Sequence, residues 1–270
     1  MALLPTLPPT PERDAQELAL RTPLGTAWLA LKGWPAPEVW DSLHPALALA
    51  HSLGRREVFL PIYYGLASNV LTQGRIADAL TWGNAMVAAA DASGDADLGL
   101  VAHRVACMIH FWRGDVIQAC RHSDIVLARY NAEQHYHLAD MMHSDPKSVV
   151  GSYRALSTWM LGYPEQAVEI NEVSTAHARR RGHPFDLGSA LTLGGLLWEH
   201  RGESAPMLAR AAEAEQVGRA YSLPFISELA QIYKGLAWLR AGRGKSPASR
   251  VSAPSFQALG PIPGALSDGD

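Results

Sequence analysis

Apolar residues recur along this chain every three to four positions, not every second one. In Glu57–Gln73, the residues Leu60, Tyr63, Tyr64, Ala67, Val70 and Leu71 fall at i, i+3, i+4, i+7 spacing and so predict one apolar helix face. The next stretch, Ile76–Ala90, repeats the pattern with Ile76, Ala79, Leu80, Met86 and Ala90, while Ala85 stands one position out of phase. Glycines punctuate these stretches. Gly33, Gly74, Gly114, Gly162, Gly202 and Gly242 are separated by 41, 40, 48, 40 and 40 residues. A second series, Gly54, Gly94 and Gly182, is continued by the Ser222-Leu223-Pro224 break, 40 residues after Gly182. Two interleaved breaker series predict helix, turn, helix, turn, with roughly 15–17 residues or about 24 Å per helix. Each glycine stands where a helix end needs a left-handed residue. Arg179, Arg180 and Arg181 precede Gly182 in the last helical turn, where cations complement the helix dipole; this capping is preferred over an anion site.

Small residues recur in phase with the glycines. Ala79, Ala119 and Ala167 lie five positions after a turn glycine, and Ala67, Cys107, Ala155 and Gly195 lie seven before one. A small residue on each helix lets a pair approach closely, the logic of tetratricopeptide repeats. The predicted fold is therefore all-α: a right-handed α-solenoid of about five tetratricopeptide-like hairpins with a period of about 40 residues. It is expected over residues 10–243, after a flexible N-terminal segment, 1–9. Residues 244–270 hold 13 Gly, Pro or Ser among 27 and are expected to be a disordered tail. That tail lacks the periodicity of a second helix, so the last hairpin stops halfway. Leu229, Ile232, Tyr233, Leu236 and Leu239 on its first helix then form a stripe open to self-association.

Composition narrows the function. With 23 Lys+Arg against 26 Asp+Glu, a net charge of −3 gives no basic face for nucleic acid. No apolar run reaches the ~18–20 residues of a membrane span, and prolines interrupt MALLPTLPPTPER where a signal peptide would be continuous. Cys107 and Cys120 cannot build a disulfide framework; they are expected to be reduced thiols of a cytoplasmic protein, with Cys107 in the core.

Four stretches carry a resemblance: PTPERDAQELALRTPLGTAWLALKGWPAPEV, HSDPKSVVGSYRALSTWMLGYPEQAV, RGHPFDLGSALTLGGLLWEHRGE and YSLPFISELAQIYKGLAWLRAGR. Together they resemble the C-terminal helical-repeat region of bacterial multidomain signalling proteins, in which an adenylate/guanylate cyclase domain and a predicted ATPase domain precede tetratricopeptide-like repeats. The resemblance spans about residues 10–243, with LGYPEQAV and the upstream Asp145-Pro146 its most specific part, and fails beyond Arg243. It implies the architecture and no catalytic residue, because relatives carry their chemistry upstream. The string Gly244-Lys245-Ser246 is no P-loop: Leu239 stands where a glycine belongs, and no strand precedes it.

The 48-residue gap contains one irregular insertion, Asn131–Lys147, holding His135, His137, Asp140, His143 and Asp145. His135, His137 and His143 are the metal candidates, yet no zinc-class spacing such as HExxH occurs, and a polar loop is the preferred reading. Asp145 and Pro146 suit an N-cap and first-turn residue. No nucleophile elbow occurs, and the carboxylate pairs Glu213/Glu215 and Asp95/Asp97 lie in solvent-facing or helix-start contexts. Trp28, Trp112, Trp159, Trp198 and Trp238 recur near the marker glycines, either packing between hairpins or lining a concave docking face. These features predict a non-catalytic repeat protein without cofactor, mediating protein–protein interaction or regulation. The alternative is a small-molecule sensor controlling an associated ATPase or nucleotide cyclase.

Overall fold

The computed structural model describes residues 8, 10–142 and 144–241. The expected N-terminal segment (Pro8 apart), His143, Gly242, Gly244-Lys245-Ser246 and the expected disordered tail lie outside the described residues. Among the described residues every regular element is helical and no strand occurs, so the fold is all-α. They form two compact units, one through Ile109 and the other from His110 onward.

The first unit contains α1 (Pro11–Lys32), α2 (Pro37–Ser52), a 3-10 turn (Arg56–Val58), α3 (Phe59–Thr72), α4 (Ile76–Ser93) and α5 (Ala96–Trp112) as far as Ile109. Thr10 caps α1 by accepting from the Arg13 N–H, and Asp95 accepts from Leu98 N–H at the start of α5. The stretch Glu57–Gln73 suggested a single apolar face on α3, but α3 is buried at every residue from Ile62 to Leu71. The physical reason is that α1, α2 and α4 all pack on it, which suits a helix hydrophobic all round. Its buried Asn69 donates to the carbonyls of Trp34 (2.7 Å) and Ala36 (2.9 Å), tying the α1–α2 turn to the core. Gln73 adds a bond to the Pro35 carbonyl at 3.0 Å.

The second unit continues through α6 (Val116–Arg129), the short α7 (Ala132–His135) and α8 (Leu138–Met142), and α9 (Pro146–Met160). It ends with α10 (Pro164–Arg181), α11 (Pro184–Arg201), α12 (Ser204–Ala220) and α13 (Pro224–Arg240). The in-phase small residues are buried: Ala67, Ala79, Cys107, Ala119, Ala155 and Ala167 are all 0% exposed. At Gly195 an added Cβ would stand 3.2 Å from the Tyr233 ring, so α13 rests against bare backbone there. Left-handed residues end the segments at Gly33, Gly54, Gly74, Gly94, Gly114, Gly162, Gly182 and Gly202. Twenty positions after Gly202, Ser222 adopts φ 54°, the one non-glycine with positive φ among the described residues. The chain geometry thus persists there without the residue that makes it easy. The α13 stripe is largely covered: Tyr233 joins Trp198, Met207, Ala211 and Ala237 in a core cluster, and Leu229 and Leu236 pack against it. Leu239 alone of the stripe is exposed, at 58%.

Candidate functional site

The insertion expected to be a polar loop is folded into the second unit. Asn131 caps α7, accepting from Glu133 and Gln134 N–H, while its own N–H donates to His135 Nδ1 at 2.9 Å. His135 is buried, as are Leu138, Ala139 and Met142 of α8, so the segment brings its own apolar face to the core. His137 is exposed, its Nδ1 2.8 Å from the Gln134 carbonyl. His143 lies outside the described residues. Among the described residues, no group of three His, Cys, Asp or Glu side chains is placed to hold a metal ion.

What the insertion leads into is a buried ionic cluster. Asp145 and Asp186 are both 0% exposed. Asp145 is the α9 N-cap, with Pro146 following it in the first turn. Its Oδ2 accepts from Ser148 N–H (2.9 Å), Ser148 Oγ–H (3.0 Å) and His177 Nε2 (2.9 Å), and its Oδ1 from the Tyr130 hydroxyl at 2.5 Å. The Asp145 backbone N–H in turn donates to Asp186 Oδ1 at 2.6 Å. Asp186, in the first turn of α11, also accepts from Arg181 Nε at 2.6 Å. Arg181 extends to the Tyr136 carbonyl at 3.4 Å and lies over that residue's ring. One cluster thus joins the end of α6, the insertion, α9, α10 and α11.

Its electrostatics follow from burial and pairing. Burial would raise the Asp145 carboxyl, but hydrogen bonds from His177, Tyr130 and the Ser148 N–H outweigh it and hold the group below the ordinary range. For Asp186 burial wins over the bonds from Asp145 N–H and Arg181, so its carboxyl is pushed up. Tyr130 is pushed up by burial first and then by the neighbouring carboxylate. Both oxygens of Asp145 already receive donors, four in all, so this carboxylate is committed to holding segments together.

The remaining candidates find partners of a structural kind. Of the arginine triplet, Arg179 binds Glu213 through two bonds (3.1 and 2.6 Å) and Arg181 binds Asp186. Glu215 sits between Arg219 and Lys234. The tryptophans divide: Trp198 is buried in the core, and Trp159 stacks on His200 at 4.8 Å. Trp112, 48% exposed, donates to the Tyr153 hydroxyl at 3.1 Å, and Trp28 carries Lys32 over its ring. Cys107 is buried as expected and Cys120 is buried too, and neither forms a disulfide. Sequence reasoning missed His177, Tyr130 and Asp186. The available signal, for Asp186 alone, was the pair SDPK and HPFD, each placing an aspartate within two positions of the proline that opens a helix.

No protein-family model matches this chain, and no curated protein does. Among the described residues, no helix is long and apolar enough to cross a membrane.

Proposed function

We propose that this chain is a helical-repeat scaffold, a right-handed solenoid of about five tetratricopeptide-like hairpins that binds a protein partner or regulates attached domains. One observation carries the reading. In the second unit, contacts between first helices of the hairpins spaced 40 residues apart recur at a separation of 41 residues: Asp145 with Asp186, Trp159 with His200, and Glu199 with Arg240. A fixed offset between neighbours is what stacked repeats produce, and stacking creates extended surfaces for partners. The resemblance of the four sequence stretches to the repeat region of cyclase–ATPase proteins supports this role, and two buried cysteines outside any disulfide support a cytoplasmic setting. A second copy meeting α13 would find Leu239, not a full apolar stripe.

The test is reconstitution. A partner captured at native expression levels is purified and mixed with the chain, and its footprint is mapped by hydrogen exchange. Protection over one helical surface within residues 10–241 is expected. Magnesium-dependent turnover of ATP or GTP by the chain alone, abolished by a point substitution in that range, would overturn the reading.

A further inference from the structure

Helix α1 packs on α2 and α3 and buries Leu18, Gly25 and Leu29. Its other side is apolar as well. Leu20 is 50% exposed and Leu31 77%; between them Ala27 is exposed and Leu24 half-buried. Leu20, Leu24, Ala27 and Leu31 follow one another at steps of four, three and four, the seam that one helix offers to another. Single exposed leucines are ordinary, but a continuous apolar seam marks a contact surface. Charge has been kept off it. Between Glu12 and Lys32 no exposed position of α1 is charged. Glu17 is buried and pairs with Arg13 and Arg21, and Arg21 also donates to the Asp41 carbonyl of α2. Pro23 stands beside the seam, not in it.

We propose that the occupant of this face is a second copy of the chain, with α1 against α1 in an antiparallel, two-fold arrangement. The seam reads the same in both directions. Leu20 and Leu31 lie equally far from the point midway between Gly25 and Thr26, and so do Leu24 and Ala27. A contact between identical patches about a two-fold axis needs that symmetry. The axis then sets Leu20 against Leu31 of the second copy, and Leu24 against its Ala27. In the central rungs a large residue meets a small one, which lets the helices approach to about 8–10 Å. Charge selects the antiparallel sense. Glu12 lies in the first turn of α1 and Lys32 in the last. Antiparallel pairing puts opposite charges and opposite dipole ends on the same side, whereas parallel pairing puts like beside like. A contact of one helix from each copy is small, below about 1,200 Å², so the association is reversible and depends on concentration. This surface is separate from α13 and does not depend on the proposed partner role.

Sedimentation equilibrium of the full chain at rising concentration tests this. The average mass should climb from 29.2 kDa towards twice that value. Leu20→Glu combined with Leu31→Glu alters two largely exposed side chains, so circular dichroism should be unchanged while association weakens by about a hundredfold or more. Leu239→Glu, at the exposed end of α13, should leave association as it is. Spin labels on Glu12→Cys should sit about 40 Å apart along the helices in the dimer, and labels on Thr26→Cys should sit next to the axis. Cys107 and Cys120 are buried and should stay unlabelled. A chain that remains monomeric at every concentration, whatever other segment or protein covers α1, would overturn the proposal. So would a dimer that survives in the folded double variant, or one that is lost in Leu239→Glu. Should the double variant fail to fold, the label distances decide, and residue-12 labels lying side by side would overturn it.

Discussion

Each unit uses a buried polar side chain to fasten an irregular segment, and the two solve the problem with opposite chemistry. In the first unit Asn69 is neutral. Its amide nitrogen reaches two carbonyls of the Gly33–Ala36 turn, and its Oδ1 accepts from Gln73 at 3.2 Å. In the second unit Asp145 and Asp186 are ionisable and fully buried, and they are held by Tyr130, His177 and Arg181. A backbone turn offers carbonyl acceptors, which an amide donor satisfies without charge. Helix starts offer N–H donors, and at the start of α9 two carboxyls answer them: Asp145 takes the Ser148 N–H and Asp186 takes the Asp145 N–H. The ionic solution is stronger per bond, and it exposes the second unit to pH.

Removing the centre of the ionic clasp should have the largest effect. Asp145→Ala strands the Tyr130 hydroxyl, His177 and the α9 N-terminus at once, and we expect a loss of about 3–5 kcal/mol. Chemical denaturation would measure it, with amides of α7–α9 losing protection before those of α3. A loss below about 1 kcal/mol would mean the cluster is dispensable.

The converse experiment puts charge into the neutral clasp. Asn69→Asp replaces the donor nitrogen with an oxygen facing two carbonyls, and should cost more than the roughly 1–3 kcal/mol expected for Asn69→Ala. The penalty should shrink in acid, where the new carboxyl regains a proton to donate. Equal penalties at pH 4 and pH 7 would show that the site is open to water.

Acid should separate the units in the wild type. The Asp145 carboxyl is held low, so its contribution is complete above about pH 4, its unfolded value, and is lost as pH falls through the lower folded value. Asp186, pushed up, has the opposite sign and gives nothing back at higher pH. Exchange measured from pH 5 down to 2 should therefore show α9 weakening first and α3 holding. Parallel weakening would place the acid-sensitive group elsewhere.

How much of this was legible in the sequence differs between the same two regions. Helix positions were readable, because glycine conformation and helical period act locally; Ala119 and Ala167 even fell at buried positions as expected. Asp145 was readable as a cap for the same reason. Its partners were not, since Tyr130 and His177 are 15 and 32 residues away, and only packing brings them together. Asn69 gave no signal at all: an amide in an apolar helix looks the same whether it meets solvent or a turn. His135 looked like a loop residue because the apolar face of Leu138, Ala139 and Met142 is too short to show a period.

The smallest effect should come from the exposed pairs that link α10 and α12. Arg179 holds Glu213 with good two-bond geometry, yet the side chains remain 45% and 34% exposed. Water screens such a pair, and ordering two long side chains offsets part of the attraction. Glu213→Gln keeps the length and one acceptor, so it should cost about 0.2–1 kcal/mol at low salt and less at 1 M. This contrast with Asp145→Ala sets an exposed pair against a buried cluster, since both substitutions remove a carboxylate that accepts from a basic side chain. Thermal denaturation of both variants at two salt concentrations measures it. A Glu213→Gln loss matching that of Asp145→Ala and insensitive to salt would show that the α10–α12 seam, not the buried clasp, holds the second unit together.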